Sequence, residues 1–194
     1  MSKTVFLSSV SSEFGSLRQR LANLGQRTKK CHIRHQDDFP NRGVKTLQKL
    51  AEEIQASDFV VHLIGAEAGW CVPKDQAMAF LREQVDFGSR FPDVVEQAQN
   101  GQLPATQWEA WLGLYYDKRL VGFQLQVDGE IDPLQSTHLE RLTQLEEHPD
   151  KAANPDVLFD EIIGSLIALG IFSCLLYTSP SPRDRTRSRM PSSA

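Results

Sequence analysis

The stretch Phe59-Val60-Val61-His62-Leu63-Ile64 decides how this chain folds. Five of its six side chains are apolar, three of those are β-branched, and Ser57-Asp58 and Gly65 bound it. A short continuous apolar run between turn-forming residues is the pattern of a strand covered on both faces. Such strands belong to parallel sheets with helices packed above and below. His62 lies inside the run, where an imidazole is expected to be a hydrogen-bonded core residue.

Working outward, Thr4-Val-Phe-Leu-Ser8 is a second apolar run ending in serines. Phe14, Leu17, Leu21 and Leu24 follow at three- and four-residue steps, so strand gives way to helix, with Ser11 or Ser12 as cap and Gly25 near the stop. Another strand is expected at about 32–36. It leads through Asp37-Asp-Phe-Pro-Asn-Arg-Gly43 into a helix carrying Leu47, Leu50 and Ile54. After Gly65 the alternation pauses. Residues 71–104 hold helical pieces at 77–87 and 92–99 with no clear strand, an insertion over the top of the sheet. A helix at 107–116, a strand at 120–127, a polar helix at 134–146 and a last helix at 157–169 resume it. The expected architecture is α/β, a parallel sheet of four to five strands with helices on both faces and right-handed crossovers. Ligands of such sheets bind beyond the carboxyl ends of the strands. Those ends are Ser8-Ser9, Gln36-Asp37-Asp38, Gly65-Ala66-Glu67 and Gln126.

The far end of the chain reads differently. Cys174-Leu-Leu-Tyr-Thr-Ser-Pro-Ser-Pro-Arg-Asp184 is the translation, in one frame, of a widely used transposase sequencing adapter. Beyond Arg185-Thr-Arg187, Ser188-Arg-Met-Pro-Ser-Ser-Ala194 translates the flow-cell end of the same adapter. Residues 174–194 are therefore expected to be a non-native, disordered tail of a truncated longer protein, with no bearing on the fold. That leaves one domain at 1–173, with a core at 3–127 and a helical C-terminal part at 133–170. The tail carries Arg183, Arg185, Arg187 and Arg189 against Asp184. Without it the 21 basic and 25 acidic residues of the chain become 17 and 24, a net charge near −7. An acidic domain argues against a nucleic-acid partner. The apolar run at 162–177 crosses the tail junction and follows Asp160-Glu161, so no membrane span is expected. With no charged-then-apolar leader at Met1 and only Cys31 and Cys71 outside the tail, the expected location is cytoplasmic.

Three segments taken together resemble the TIR-like family. They are Val5-Phe-Leu-Ser-Ser-Val-Ser-Ser-Glu-Phe14 with Leu17-Arg18, then Gln36-Asp-Asp-Phe39 with Thr46-Leu47 and Ile54, and finally 58–65 followed by Thr106-Gln-Trp-Glu-Ala-Trp-Leu112. The resemblance covers about residues 3–127, and includes the bacterial branch found at the front of multidomain ATPase and repeat proteins. It implies a flavodoxin-like TIR fold, a role in signalling or bacterial immunity, and homotypic TIR-like partners together with missing C-terminal ATPase or repeat domains of the same chain. It also implies one of two outputs. Some members cleave the nicotinamide–ribose bond of NAD, and others only assemble as adaptors. NAD would then be a substrate, and no prosthetic group is implied. In the enzymatic members a glutamate near the start of the helix before the fourth strand is essential, and Glu109 stands there. Thr106 and Gln107 occupy positions where that pattern usually has a serine or cysteine.

A carboxylate suits this chemistry, because breaking an N-glycosidic bond creates an oxocarbenium-like sugar that an anionic oxygen stabilises or traps. Glu109 is the candidate catalytic residue. Ser8, Ser9 and Ser11 would offer hydroxyls, backbone N–H groups and a helix start to a pyrophosphate, and Trp70 and Trp108 would stack on a ring. Each also has a plain structural reading. Thr106-Gln-Trp-Glu109 has the form of a capping box, the serines suit caps and turns, and Trp108 and Trp111, three apart, suit packing in the core. An enzyme predicts Glu109 pointing into an open pocket beside Ser8 and Ser9; an adaptor predicts Glu109 folded back on its own helix cap, a filled cleft, and homotypic contacts through the loop at 37–43. A third class, a nucleoside-processing transferase of similar topology, would use the same glutamate on a smaller substrate. Cys31, His32 and His35 do not make a metal site, since on a strand Cys31 and His35 share a face and His32 points away. No phosphate loop of the Walker type and no nucleophile elbow is present in the sequence.

Overall fold

In the computed structural model, which describes residues 2–28, 31–36 and 46–172, five parallel strands stand in the order β2-β1-β3-β4-β5. They are β1 (Lys3–Ser8), β2 (Cys31–Arg34), β3 (Phe59–Ile64), β4 (Arg119–Leu125) and β5 (Asp150–Ala152). This is the flavodoxin-like order, whose chain reverses direction across the sheet between β1 and β3. The 174–194 tail and the 37–43 loop lie outside the described residues. Among the described residues no helix is long and apolar enough to cross a membrane.

Alternation along the strands sorts the core into two layers. Val5 and Leu7 of β1 and Val61 and Leu63 of β3 face α1 (Ser11–Thr28) and α8 (Pro155–Ala168), meeting Phe14, Leu17, Leu21, Leu158 and Ile162. Phe6 of β1 and Val60 and Ile64 of β3 face α2 (Thr46–Ala56) and α6 (Ala105–Tyr115), where Leu50, Ile54, Trp108 and Trp111 pack. By the same period of two, Ser8 and His62 belong to this second face, at or near the carboxyl ends of their strands. They are buried polar positions on it. α6 is buried at every residue from Ala105 to Gly113, so it lies inside the second layer rather than on it.

The 71–104 segment is helical, as its pattern suggests, but in three pieces: α3 (Lys74–Glu83), α4 (Val85–Arg90) and α5 (Pro92–Gln99). Its two ends are tied together at the neck, where Cys71 and Pro104 form an isolated antiparallel bridge. Around it the Val72 N–H donates to the Leu103 carbonyl at 3.1 Å and the Ala105 N–H to the Trp70 carbonyl at 2.8 Å. Phe80, Phe87 and Phe91 reach inward from this segment. Phe80 meets the Trp108 ring edge-on at 5.5 Å and Phe87 tilts against it at 5.3 Å. The insertion therefore completes the core beside α2 and α6. α7 (Pro133–Gln144) begins at Asp132, whose carboxylate accepts from the Leu134 N–H, and returns the chain to β5.

Candidate functional site

The reversal point between β1 and β3 opens into a cleft of about 610 Å³. Ser9, Ser11 and Ser12 after β1 line it, with Glu67, Gly69 and Trp70 after β3, Gln36 after β2 and Thr106 at the start of α6. Trp70 is 54% exposed, a large aromatic face left open to solvent beside hydroxyls. The wall is fixed by an internal carboxylate. Glu13, in the first turn of α1, accepts from the Ala66 N–H at 2.7 Å and the Glu67 N–H at 3.2 Å. Ser12 donates to the Glu67 carboxylate at 2.5 Å. A side chain at Gly65 would fall on the Glu13 carboxylate, so glycine is what lets α1 and the β3 loop close together here.

A second tier lies beneath this cleft, and the expected residues divide between the two. Ser9, Ser11 and Trp70 line the cleft; Ser8, Trp108 and Glu109 do not. Trp108 is 0% exposed, enclosed by Phe80 and Phe87, so it is corrected from a stacking surface to a core residue. Trp111 is buried as well. Glu109 is 1% exposed, one helical turn beyond the cleft-lining Thr106 on α6. The capping-box reading is also corrected. α6 starts two residues earlier than the box requires, with Pro104 at the cap and no side-chain cap bond. Thr106 is already inside the helix, and its hydroxyl donates instead to the Ala68 carbonyl at 3.2 Å.

Glu109 is thus held by tertiary neighbours. Burial pushes its carboxyl up to about 8, against the opposing influence of the Ser8 hydroxyl hydrogen-bonded to it and of the Arg18 guanidinium. Oε2 is buried without a hydrogen-bond partner. Behind Ser8 runs a chain of polar groups. Ser8 Oγ lies 3.1 Å from the Thr106 carbonyl, to which it donates, and 2.8 Å from His62 Nδ1. His62 Nε2 lies 3.0 Å from His138 Nε2. The two rings meet edge-on, and His138 also stands edge-on to Trp111 at 5.5 Å. Both imidazoles are fully buried. Desolvation lowers His62 to about 3, and desolvation with His62 and Arg141 as neighbours holds His138 well below its ordinary value.

A parallel amide network ties the tiers together. The Gln107 amide donates to the Leu134 carbonyl and to the Gln135 side chain, each at 3.0 Å, and Gln135 donates onward to the Glu67 carbonyl at 3.1 Å. Gln107, Gln135 and His138 are residues that sequence reasoning did not place in the site. His138 is 76 positions from its partner His62, on a helix that reads only as polar, and nothing local marks it. Compared with protein-family models, with curated proteins and with solved structures, the chain matches none of them.

Proposed function

We propose that this chain is a TIR-like effector module that binds NAD in the cleft at the strand ends and cleaves its nicotinamide–ribosyl bond with Glu109. The observation that carries the reading is the Glu109 carboxyl, buried with one oxygen unpartnered, one helical turn along α6 from Thr106, which lines an open polar cleft. Burying an unpaired carboxyl costs stability and contributes nothing to packing. Strongly perturbed carboxyls of this kind concentrate where chemistry is done. In this reading Trp70 stacks on a ring of the dinucleotide, the Ser9–Ser12 turn supports its polar middle, and Glu109 stabilises the developing ribosyl cation. Self-association completes the site.

The competing reading, an adaptor that only assembles with other TIR-like domains, is favoured by the burial of Glu109, which does not line the cleft. NAD consumption separates the two. The purified chain, concentrated or crowded to promote assembly, should consume NAD and release nicotinamide, and Glu109→Ala should abolish this. Assembly without turnover by the unaltered chain would leave the adaptor reading in its place.

A further inference from the structure

We propose that the cleft grips its ligand by a ribonucleoside, Trp70 stacking on the planar base and the Glu67 carboxylate accepting from the paired ribose hydroxyls, with phosphates left outside. The inference rests on the reading given under Proposed function in taking this cleft as the ligand site, and not on cleavage of the ligand. The first ground is charge. The start of α1 is where an anion would ordinarily bind, since its free N–H groups and dipole present about half a positive charge. Two of the protein's own carboxylates already answer it. Glu13 stands in the first turn of α1, and Glu67 accepts from the Ser12 hydroxyl at 2.5 Å. Two full negative charges outweigh that half charge. Glu67 is also the one ionisable side chain among the described residues that line the cleft, with no Lys, Arg or His beside it. A diphosphate placed here is repelled, whereas O–H groups find an ionic acceptor, which makes the stronger class of hydrogen bond.

The second ground is that the recognising groups are built in place. Glu67 is exposed, but its backbone is clamped on both sides: its N–H donates to Glu13 at 3.2 Å, and its carbonyl accepts from Gln135 at 3.1 Å. Ser12 engages Oε2 alone, and a carboxylate accepts at about four positions, so capacity remains for two neighbouring hydroxyls. Gly69, with φ at 82° in the left-handed region, turns the chain between Glu67 and Trp70 against Val10. The Trp70 carbonyl is then fixed by the Ala105 N–H at 2.8 Å, while its ring stays open to solvent. The third ground is an orphan. Ser9 lines the cleft at 6% exposure, and its Oγ is buried with no hydrogen-bond partner. Such a group is costly unless something supplies the missing bond, and a hydroxyl can both donate to and accept from a sugar oxygen. An aromatic face, an ionic acceptor and an unpaired hydroxyl in about 610 Å³, without a cation, suit a nucleoside better than a phosphate.

Titration calorimetry of the full chain with nicotinamide riboside and with adenosine tests this. At least one should bind, and its dideoxy counterpart, which lacks both ribose hydroxyls, should bind about tenfold or more weakly. Glu67→Gln should weaken the parent nucleoside by a similar factor and leave the dideoxy compound unchanged, because the two changes remove one interaction. Thermal melting of that variant, expected to match the unaltered chain, shows that the fold is intact. Inorganic pyrophosphate should not compete. Competition by pyrophosphate, tighter NAD binding by Glu67→Gln, an equal loss for the dideoxy compound, or binding of neither nucleoside would overturn the inference. If the nucleoside binds through its hydroxyls and NAD is not consumed, the inference stands and the cleavage reading falls. If NAD is consumed and pyrophosphate competes, the cleavage reading stands and the inference falls.

Discussion

His62 Nε2 and His138 Nε2 face each other across 3.0 Å of buried core, so the two nitrogens share a single proton and cannot both carry one without placing N–H against N–H. With Ser8 and the nearby Glu109, the pair forms a polar seam beside the Gln107–Gln135 network in a largely apolar layer. Most of what can be tested about this protein follows from that seam.

The first consequence is acid sensitivity. Both histidines have folded-state values depressed below those of the unfolded chain, His62 to about 3 and His138 well below its ordinary value. Groups of this kind contribute stability that is fully present above about pH 6.5 and lost as pH falls toward the folded values. Between pH 6 and 4 the unfolding free energy, measured by denaturant titration, should fall by roughly 1–2 kcal/mol per pH unit, from two histidines partly offset by Glu109. His62→Gln with His138→Gln should flatten that limb whether or not it lowers stability at pH 7.

Glu109 works in the opposite sense. Its folded-state value is raised to about 8, so its contribution is present below the unfolded carboxyl value, roughly 4.3, and lost as pH rises through about 8. Stability should peak at slightly acid to neutral pH and decline toward pH 9. Glu109→Gln, which keeps the shape of the neutral acid, should remove the alkaline decline. At pH 9 the variant should gain a few kcal/mol relative to the unaltered chain, up to about 4. An alkaline limb identical in the two proteins would show that Glu109 is ionised in the fold.

The two exposed-versus-buried tryptophans give a contrast. Trp70→Ala, at 54% exposure, should change stability by about 0.5 kcal/mol or less yet weaken binding of nicotinamide-containing ligands in the cleft. Trp108→Ala opens a cavity between Phe80 and Phe87 and should cost about 3–5 kcal/mol. Thermal melting and ligand-titrated fluorescence of each variant check both statements.

Gly65→Ala would drive the Glu13 carboxylate off the Ala66 and Glu67 N–H groups. The expected cost is about 1–2 kcal/mol, the net worth of two hydrogen bonds from one half-buried and one exposed N–H. Because Glu13→Ala forfeits the same bonds, the double variant should lose far less than the two single losses added together. Additive losses would mean that the alanine clashes with something other than Glu13.

How much of this is legible in the sequence varies with the physics of each part. β3 is plain, because a strand covered on both faces writes its burial into consecutive residues. β5 is not. It has three residues, Asp150-Lys151-Ala152, with only Ala152 buried, and as an edge strand paired only with β4 it has no pattern to display. β2 begins and ends one or two residues earlier than its sequence suggests, since its exposed polar positions blur both ends. In the site, the cleft-lining serines and Trp70 follow from the rule that ligands gather at strand ends. Trp108 misleads because α6 is buried all round, and a helix without a polar face gives no sign of which side is out. Glu109 enters through a resemblance, and the Thr106–Glu109 spacing points locally to a cap that Pro104 pre-empts. The His62–His138 contact has no signal at all, being a meeting of two ordinary positions brought together by topology.

The Cys71–Pro104 bridge holds together the two ends of a three-helix segment. A segment whose entrance and exit are already adjacent is a cassette: exchanging its contents leaves the strands on either side at the same separation. What any replacement must preserve is the buried inner face of the segment, above all Phe80 and Phe87 against Trp108 and Phe91 against Trp111. Within that condition, the outward face of the segment is free to diverge in length and surface while β1, β3 and Glu109 keep their places. A graft of foreign helices at this neck is the natural route to giving the domain a new recognition surface.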